Sequence, residues 1–322
     1  MKALGYAKIF TQEERKEGVF LEAQENKIIP TLKDLREKAN QIFSFLDISF
    51  STRKDYTYRI SLFLNFIQGR SFNNNSFLEF KRYLQERDDM RVATKNKYLA
   101  SARVFLKELA RNQAIPVDIT LNVKSFKQGK KHKKEGLTED EINKLTERIK
   151  SLSDTPKNTR LKALFCLFAL QGLRQIEVVR LNVEDLDLAG GLAYIQGKGR
   201  DDKELIYLNP ETIKALKKYI KICNIGSGSL LKSLGNRKNG RLNSITIKRE
   251  FKALFSELRI NKTVHGFRHY FITHLLGEFD VGTVRKFSRH KSLDMLIVYD
   301  DEVNLAEKKD KVFSCFSQVK VA

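Results

Sequence analysis

The feature that most constrains the fold is the run over residues 161–173, LKALFCLFALQGL, which is almost continuously apolar. A helix of this composition has no polar face to offer water, so other elements must cover it on most sides. It therefore requires a domain large enough to surround one helix. Gly172 closes the helix, and Ile176, Val179 and Leu181 point inward from the next one.

The neighbouring residues supply that surround. Residues 192–196 and 204–208 read as two strands around the turn GKGRDD, a hairpin whose shoulder carries Lys198. Residues 210–255 read as two helices separated by a Gly/Ser/Asn-rich loop over 226–244. Upstream, Thr138 and Glu141 have capping-box spacing and open a helix and a domain.

Before that point the chain is helical. A helix is expected over residues 31–45, after Pro30. A second, with Ser51-Thr52 as its N-cap pair, carries Tyr56, Ile60, Phe63, Leu64 and Ile67 on one face. After the Asn turn at 73–75 a third spans 76–87, and a fourth begins near Thr94 with Tyr98, Leu99, Ala102, Phe105, Leu106 and Leu109 at spacings of three and four. The organisation is an N-terminal extension over 1–45, a helical domain over 46–123, a basic linker over 124–136 and a second domain over 137–322. The expected class is α+β, mainly α with a small β-hairpin or sheet in the C-terminal domain.

A length of 322 residues suits two domains. The net charge of +21 exceeds ordinary surface balancing and points to a polyanionic partner such as nucleic acid. No apolar run is long enough to span a bilayer, and no charged segment followed by an apolar one opens the chain, so the expected location is the cytoplasm, at the nucleoid. Cys166, Cys223 and Cys315 lack metal-ligand spacing and fit reduced thiols. The linker KSFKQGKKHKK holds six lysines and His132, a solvated segment suited to tracking phosphates.

Residues 264–301 gather four of the five histidines with arginines and tyrosines. His265 and Arg268 lie one helical turn apart, off the stripe formed by Phe267, Phe271 and Leu275. His269 and His274 read as packing or supporting residues. Ser292 suits the N-cap of a further helix, with Leu293, Leu296 and Ile297 inward and Tyr299 about a third of a turn away.

Were Arg174, Lys198, His265, Arg268, His290 and Tyr299 to converge, they would form a phosphodiester-cleaving set. Two guanidiniums grip nonbridging oxygens and stabilise a pentacoordinate transition state. A phenolate is the nucleophile, and lysine and histidine move protons. The chemistry needs no metal and no cofactor.

The spacing Arg174…Lys198…His265-x-x-Arg268…His290…Tyr299 resembles the tyrosine recombinase (phage integrase) family. GLRQIEVVRLNVEDLDL, the GKG turn and HGFRHYFITHLL are similar to the family's boxes, and the STRKDY and ATKNKYLASARVFL helices to its core-binding domain. The resemblance implies a two-domain clamp on double-stranded DNA, with Tyr299 attacking the scissile phosphate. It implies that Arg174 and Arg268 clamp that phosphate, Lys198 protonates the leaving 5′ oxygen, and His265 and His290 support proton transfer and phosphate binding. By the same resemblance Glu177 orders the surroundings of Arg174. It also implies a homo-tetramer on DNA that exchanges C-terminal tails, which would account for the apolar residues 312–321. The chain departs from the family at Arg289, where glycine is usual, at Tyr270 in place of a small hydroxyl residue, and at Asp300-Asp301 after the tyrosine.

At this level several functions are open. The chain reads as a site-specific strand-exchange enzyme, as a DNA-binding paralogue that no longer cuts, or as a one-step relative such as a type IB topoisomerase or telomere resolvase. A nuclease using Asp201, Asp202, Asp300 or Asp301 with a metal is the remaining alternative.

Overall fold

The computed structural model describes residues 32–128, 136–197, 199–234, 240–293 and 296. The chain divides between residues 128 and 129 into two compact units. It is mostly helical with one small antiparallel sheet, the α+β class expected.

The first unit holds α1 (Leu32–Phe45), α2 (Phe50–Ile67), α3 (Ser76–Gln85) and α4 (Val92–Arg111). Its core is built from the predicted stripes of α2 and α4 together with apolar residues of α3. Ile60, Phe63 and Leu64 of α2 meet Phe77, Phe80 and Leu84 of α3 and Leu99, Ala102, Phe105 and Leu106 of α4, all essentially unexposed. Burying each of the Ile, Leu and Phe side chains contributes about 1.5–3 kcal/mol. Helix α1 belongs to this core through Ala39, Ile42 and Phe43. Helix α2 starts earlier than expected: Ser49, not the Ser51-Thr52 pair, caps it by accepting the Thr52 N–H at 3.3 Å. Asn96 of α4 fastens the segment that leaves the unit by a reciprocal pair with Phe126, donating to its carbonyl at 3.0 Å and accepting its N–H at 2.9 Å.

The second unit is organised around α6 (Pro156–Ala169), the helix made from the apolar run. Ala163, Leu164, Phe165, Leu167 and Phe168 are all buried. Around it stand α5 (Glu139–Lys150), α7 (Gln175–Arg180), α8 (Pro210–Ile222), α9 (Ser244–Glu257) and α10 (His265–Glu278), followed by α11 (Val281–Ser288). The capping box of Thr138 and Glu141 forms as expected. Phe267 of α10 sits among Phe165, Phe168, Phe251 and Phe255 with ring centroids 5.3–6.1 Å away. This cluster locks the start of α10 against α6 and α9.

The hairpin forms as β2 (Leu192–Gln196) and β3 (Lys203–Tyr207), with Ala193 opposite Ile206 and Ile195 opposite Glu204. Ala193 and Ile195 face the core while Tyr194 faces out, the two-residue alternation of a half-covered sheet. A two-residue strand, β1 (Leu186–Asp187), adds to β2 beyond the expected hairpin. It is too short to show alternation in the sequence.

Two inward faces differ from expectation. On α7 the buried residues are Glu177 and Val178, with Ile176 and Val179 only partly covered. The carboxylate can go inward because arginines meet it there. On α10 Phe271 and Leu275 of the expected stripe are only partly covered, while Arg268, His269, Ile272 and Leu276 are buried; Ile272 and Leu276 go inward because they join Val284 and Leu296 in a third small core.

Candidate active site

The site is built where α6 hands over to α7. Gly172 adopts the left-handed conformation, φ +56°, and a Cβ there would lie 2.3 Å from the Phe271 ring. Only glycine fits a turn that needs both. Its carbonyl accepts Arg268 Nη1 at 2.7 Å. Two residues on, Arg174 is the N-cap residue of α7 with its side chain 25% exposed.

Glu177 organises this arginine. Its side chain is fully buried. Oε2 accepts the Arg174 backbone N–H at 2.7 Å, and Oε1 accepts Arg174 Nη1 at 2.8 Å. Burial alone would raise its pKa, but the Arg289 guanidinium and the charge and hydrogen bonds of Arg174 hold the carboxyl below its ordinary range.

Arg268 was expected off the core-facing stripe, and the structure buries it, 1% exposed. A charge is tolerated there because acceptors converge on it. Besides the Gly172 carbonyl, Nη2 meets the Ser288 carbonyl and lies 3.3 Å from His290 Nε2. Arginine only donates, so Nε2 is the acceptor and His290 carries its proton on Nδ1, 2.8 Å from Ser288 Oγ.

Burial, followed by the charges of Arg268, Arg174 and Arg289, pushes the His290 pKa down to about 3. The imidazole is therefore neutral at any ordinary working pH. An unfolded histidine titrates near 6.5, so the unfolded chain takes up a proton that the folded site resists. Stability at this site is full above about pH 6.5 and falls as the pH drops towards 3, with a slope of at most about 1.4 kcal/mol per pH unit. Urea melts of wild type and His290→Asn between pH 7 and pH 4 check this. The wild type should lose stability faster than the variant.

His265 is the first residue of α10 and is exposed. Lys198 and Tyr299 lie outside the described residues, as does the apolar tail, and of the inward residues expected in the further helix after Ser292 Leu293 and Leu296 are described. The approaches to Lys198 and Tyr299 are described. On either side of Lys198, the Gly197 carbonyl accepts Arg180 Nη1 at 2.8 Å and the Gly199 carbonyl accepts Lys291 Nζ at 3.5 Å. Leu296, three residues before Tyr299, is unexposed in the small core under α10 and α11. Leu293, expected inward, is 45% exposed; Ile297, expected inward with it, lies outside the described residues.

The structure thus brings Arg174, Arg268 and His290 together, with His265 on the helix that carries Arg268. Tyr270 is directed elsewhere. Its hydroxyl donates to Glu139 Oε2 at 2.8 Å, and burial and that carboxylate push the phenol up to about 12. It is no rival nucleophile. Sequence reasoning missed the parts played by the Gly172 carbonyl, Ser288 and Arg289. The one available signal was arginine directly before His290.

Comparisons with known proteins bear on the family and the fold. The model of the phage integrase family matches residues 135–304. Tyrosine recombinase XerD of Oceanobacillus iheyensis is 31% identical over 238 residues, covering 71% of this chain and 77% of its own. Tyrosine recombinase XerC of Lactobacillus leichmannii is 28% identical over 218 residues, covering 64% of this chain and 71% of its own. Among solved structures, XerH bound to palindromic difH has a TM-score of 0.69 at 16% identity, covering 87% of this chain and 84% of that one. A lambda integrase dimer bound to a COC′ core site has a TM-score of 0.66 at 16% identity, covering 85% and 79%. The chain belongs to the phage integrase family of tyrosine recombinases, enzymes that cleave and rejoin DNA strands in site-specific recombination. Among the described residues no helix is long and apolar enough to cross a membrane.

Proposed function

We propose that this chain cuts one strand of a specific duplex site with Tyr299, holds the DNA as a 3′-phosphotyrosine, and rejoins it to a new 5′ end. The observation that carries this reading is that Arg174, held by the buried carboxylate of Glu177, and Arg268, held against His290, both bring positive charge to that histidine. Two fixed guanidiniums suit a phosphate that gains negative charge in the transition state.

The Tyr299 oxygen bonds to phosphorus as the bond to the 5′ oxygen breaks. Lys198 gives its proton to that departing oxygen, and the reverse sequence reseals the strand. The phenol's proton passes to His265, which is exposed at the head of α10. His290 is a poor base at its depressed pKa and acts as a neutral hydrogen-bonding partner. Arg174 meets the nonbridging oxygens, and Arg268 supplies the second positive charge.

DNA is the partner, and the net charge of +21 supplies its attraction. The helical unit and the basic linker after it add to the contact with the duplex. The protein works as a homo-tetramer on DNA at the nucleoid, each apolar tail docking on a neighbouring subunit. The relatives named Xer and integrase support this reading, since the structures similar to this one include recombinases on their DNA sites.

The test uses a pool of nicked duplexes with a randomised core. Adducts that survive detergent should become enriched for one sequence over successive rounds. Enrichment of no sequence, together with supercoil relaxation by the monomer, would favour a topoisomerase instead.

A further inference from the structure

Arg289 ends α11 in the left-handed conformation, φ 57° and ψ 41°, a state that favours glycine over any residue with a Cβ. Its side chain then turns inward and is 5% exposed. Nη1 donates to the Phe287 carbonyl at 2.9 Å and Nη2 to Glu177 Oε2 at 3.2 Å. Its Nε is buried without a hydrogen-bond partner among the described residues.

As a stabilising device this is a poor choice. A glycine would fit the backbone better, and burying a second guanidinium beside Arg174 on one carboxylate adds repulsion. What the arrangement does achieve is to divide Glu177 between two arginines. Arg174, the more exposed of the two, needs one Nη for Glu177 Oε1.

We propose that Arg289 is a positioning residue for strand cleavage, holding Glu177 so that Glu177 in turn holds Arg174 towards the scissile phosphate. The proposal rests on the reading that Arg174 binds that phosphate. Glu177 is faced by Arg174 from the head of α7 and by Arg289 from the end of α11, while the neighbouring His290 is neutral. With Arg289 removed, the buried carboxylate keeps one charged partner. It then takes up a proton more readily and no longer fixes the side chain it caps.

The test compares wild type, Arg289→Gly and Arg289→Lys in single-turnover adduct formation on the duplex selected above. Arg289→Gly should melt no lower than wild type, because glycine suits the left-handed cap, yet cleave roughly 100-fold more slowly, as a displaced contact group does. DNA binding should be unchanged, and the acid limb of the rate should move to higher pH. Lysine should restore part of the rate. Combined with Arg174→Ala, the glycine substitution should cost nothing further.

A wild-type rate and pH profile in Arg289→Gly would overturn the proposal. So would a loss that follows a lowered melting temperature and is no better with lysine. If Arg174→Ala itself cleaves normally, the underlying reading of Arg174 has failed, and that result is distinct from a failure of Arg289 alone.

Discussion

Arg268→Ala is expected to reduce strand cleavage by a factor of about 1,000 or more, and to destabilise the second unit as well. The rate loss follows from the site's electrostatics, since one preorganised donor to a developing anion is worth roughly 100- to 1,000-fold, and this guanidinium also holds His290. The stability loss follows from what alanine leaves behind. The carbonyls of Gly172 and Ser288 would lose their donor in a buried place, at about 1–3 kcal/mol each. The two effects separate in Arg268→Lys, which keeps the charge but not the planar fork. Cleavage should be measured well below each variant's melting temperature. Lysine should recover some rate while still melting lower, because one ammonium cannot span both carbonyls. A cleavage rate for Arg268→Ala within a few-fold of wild type would remove Arg268 from the reaction.

Lys198→Ala is expected to lose nearly all cleavage of ordinary DNA and to regain most of it on DNA whose scissile 5′ oxygen is replaced by sulfur. An alkoxide leaves poorly without a proton, and general acid catalysis contributes about 100- to 10,000-fold. A thiolate leaves unaided, so the acid becomes dispensable. Gel assays of adduct formation on matched oxygen and sulfur substrates give the ratio directly. Equal impairment on both would mean that Lys198 binds or orders the DNA rather than protonating the leaving group. The same pair of substrates should leave the defect of Arg268→Ala in place, because sulfur in the bridging position does not replace a lost cation.

Much of the architecture is legible in the amino-acid sequence. The stripes of α2 and α4, the capping box at Thr138 and the apolar run of α6 each act locally, and each forms where periodicity places it. The features that depart from expectation are decided by long-range contacts or by a choice between equivalent local ones. Ser49 rather than Ser51 caps α2 because either serine satisfies the local pattern. Glu177 rather than Ile176 turns inward because arginines 3 and 112 residues away in sequence receive it. Arg268 is buried by carbonyls 96 and 20 residues away, which no helical wheel contains.

The candidate site divides in the same way. Which residue types belong to the chemistry can be read from spacing and resemblance. Their protonation cannot, since the neutral His290 results from burial and three arginines drawn from separate segments. The departure at Arg289 is visible in the sequence as an unusual neighbour of His290, but its inward turn onto Glu177 is not.

In strand cleavage Tyr299 should become covalently joined to DNA. The direct measurement is to trap the adduct on a selected nicked duplex, digest both components, and identify the modified peptide and the DNA end by mass spectrometry. The expected result is Tyr299 linked to a 3′ phosphate, and no adduct from Tyr299→Phe although that variant still binds the duplex. An adduct on another residue, a link to a 5′ phosphate, or undiminished adduct from Tyr299→Phe would contradict it.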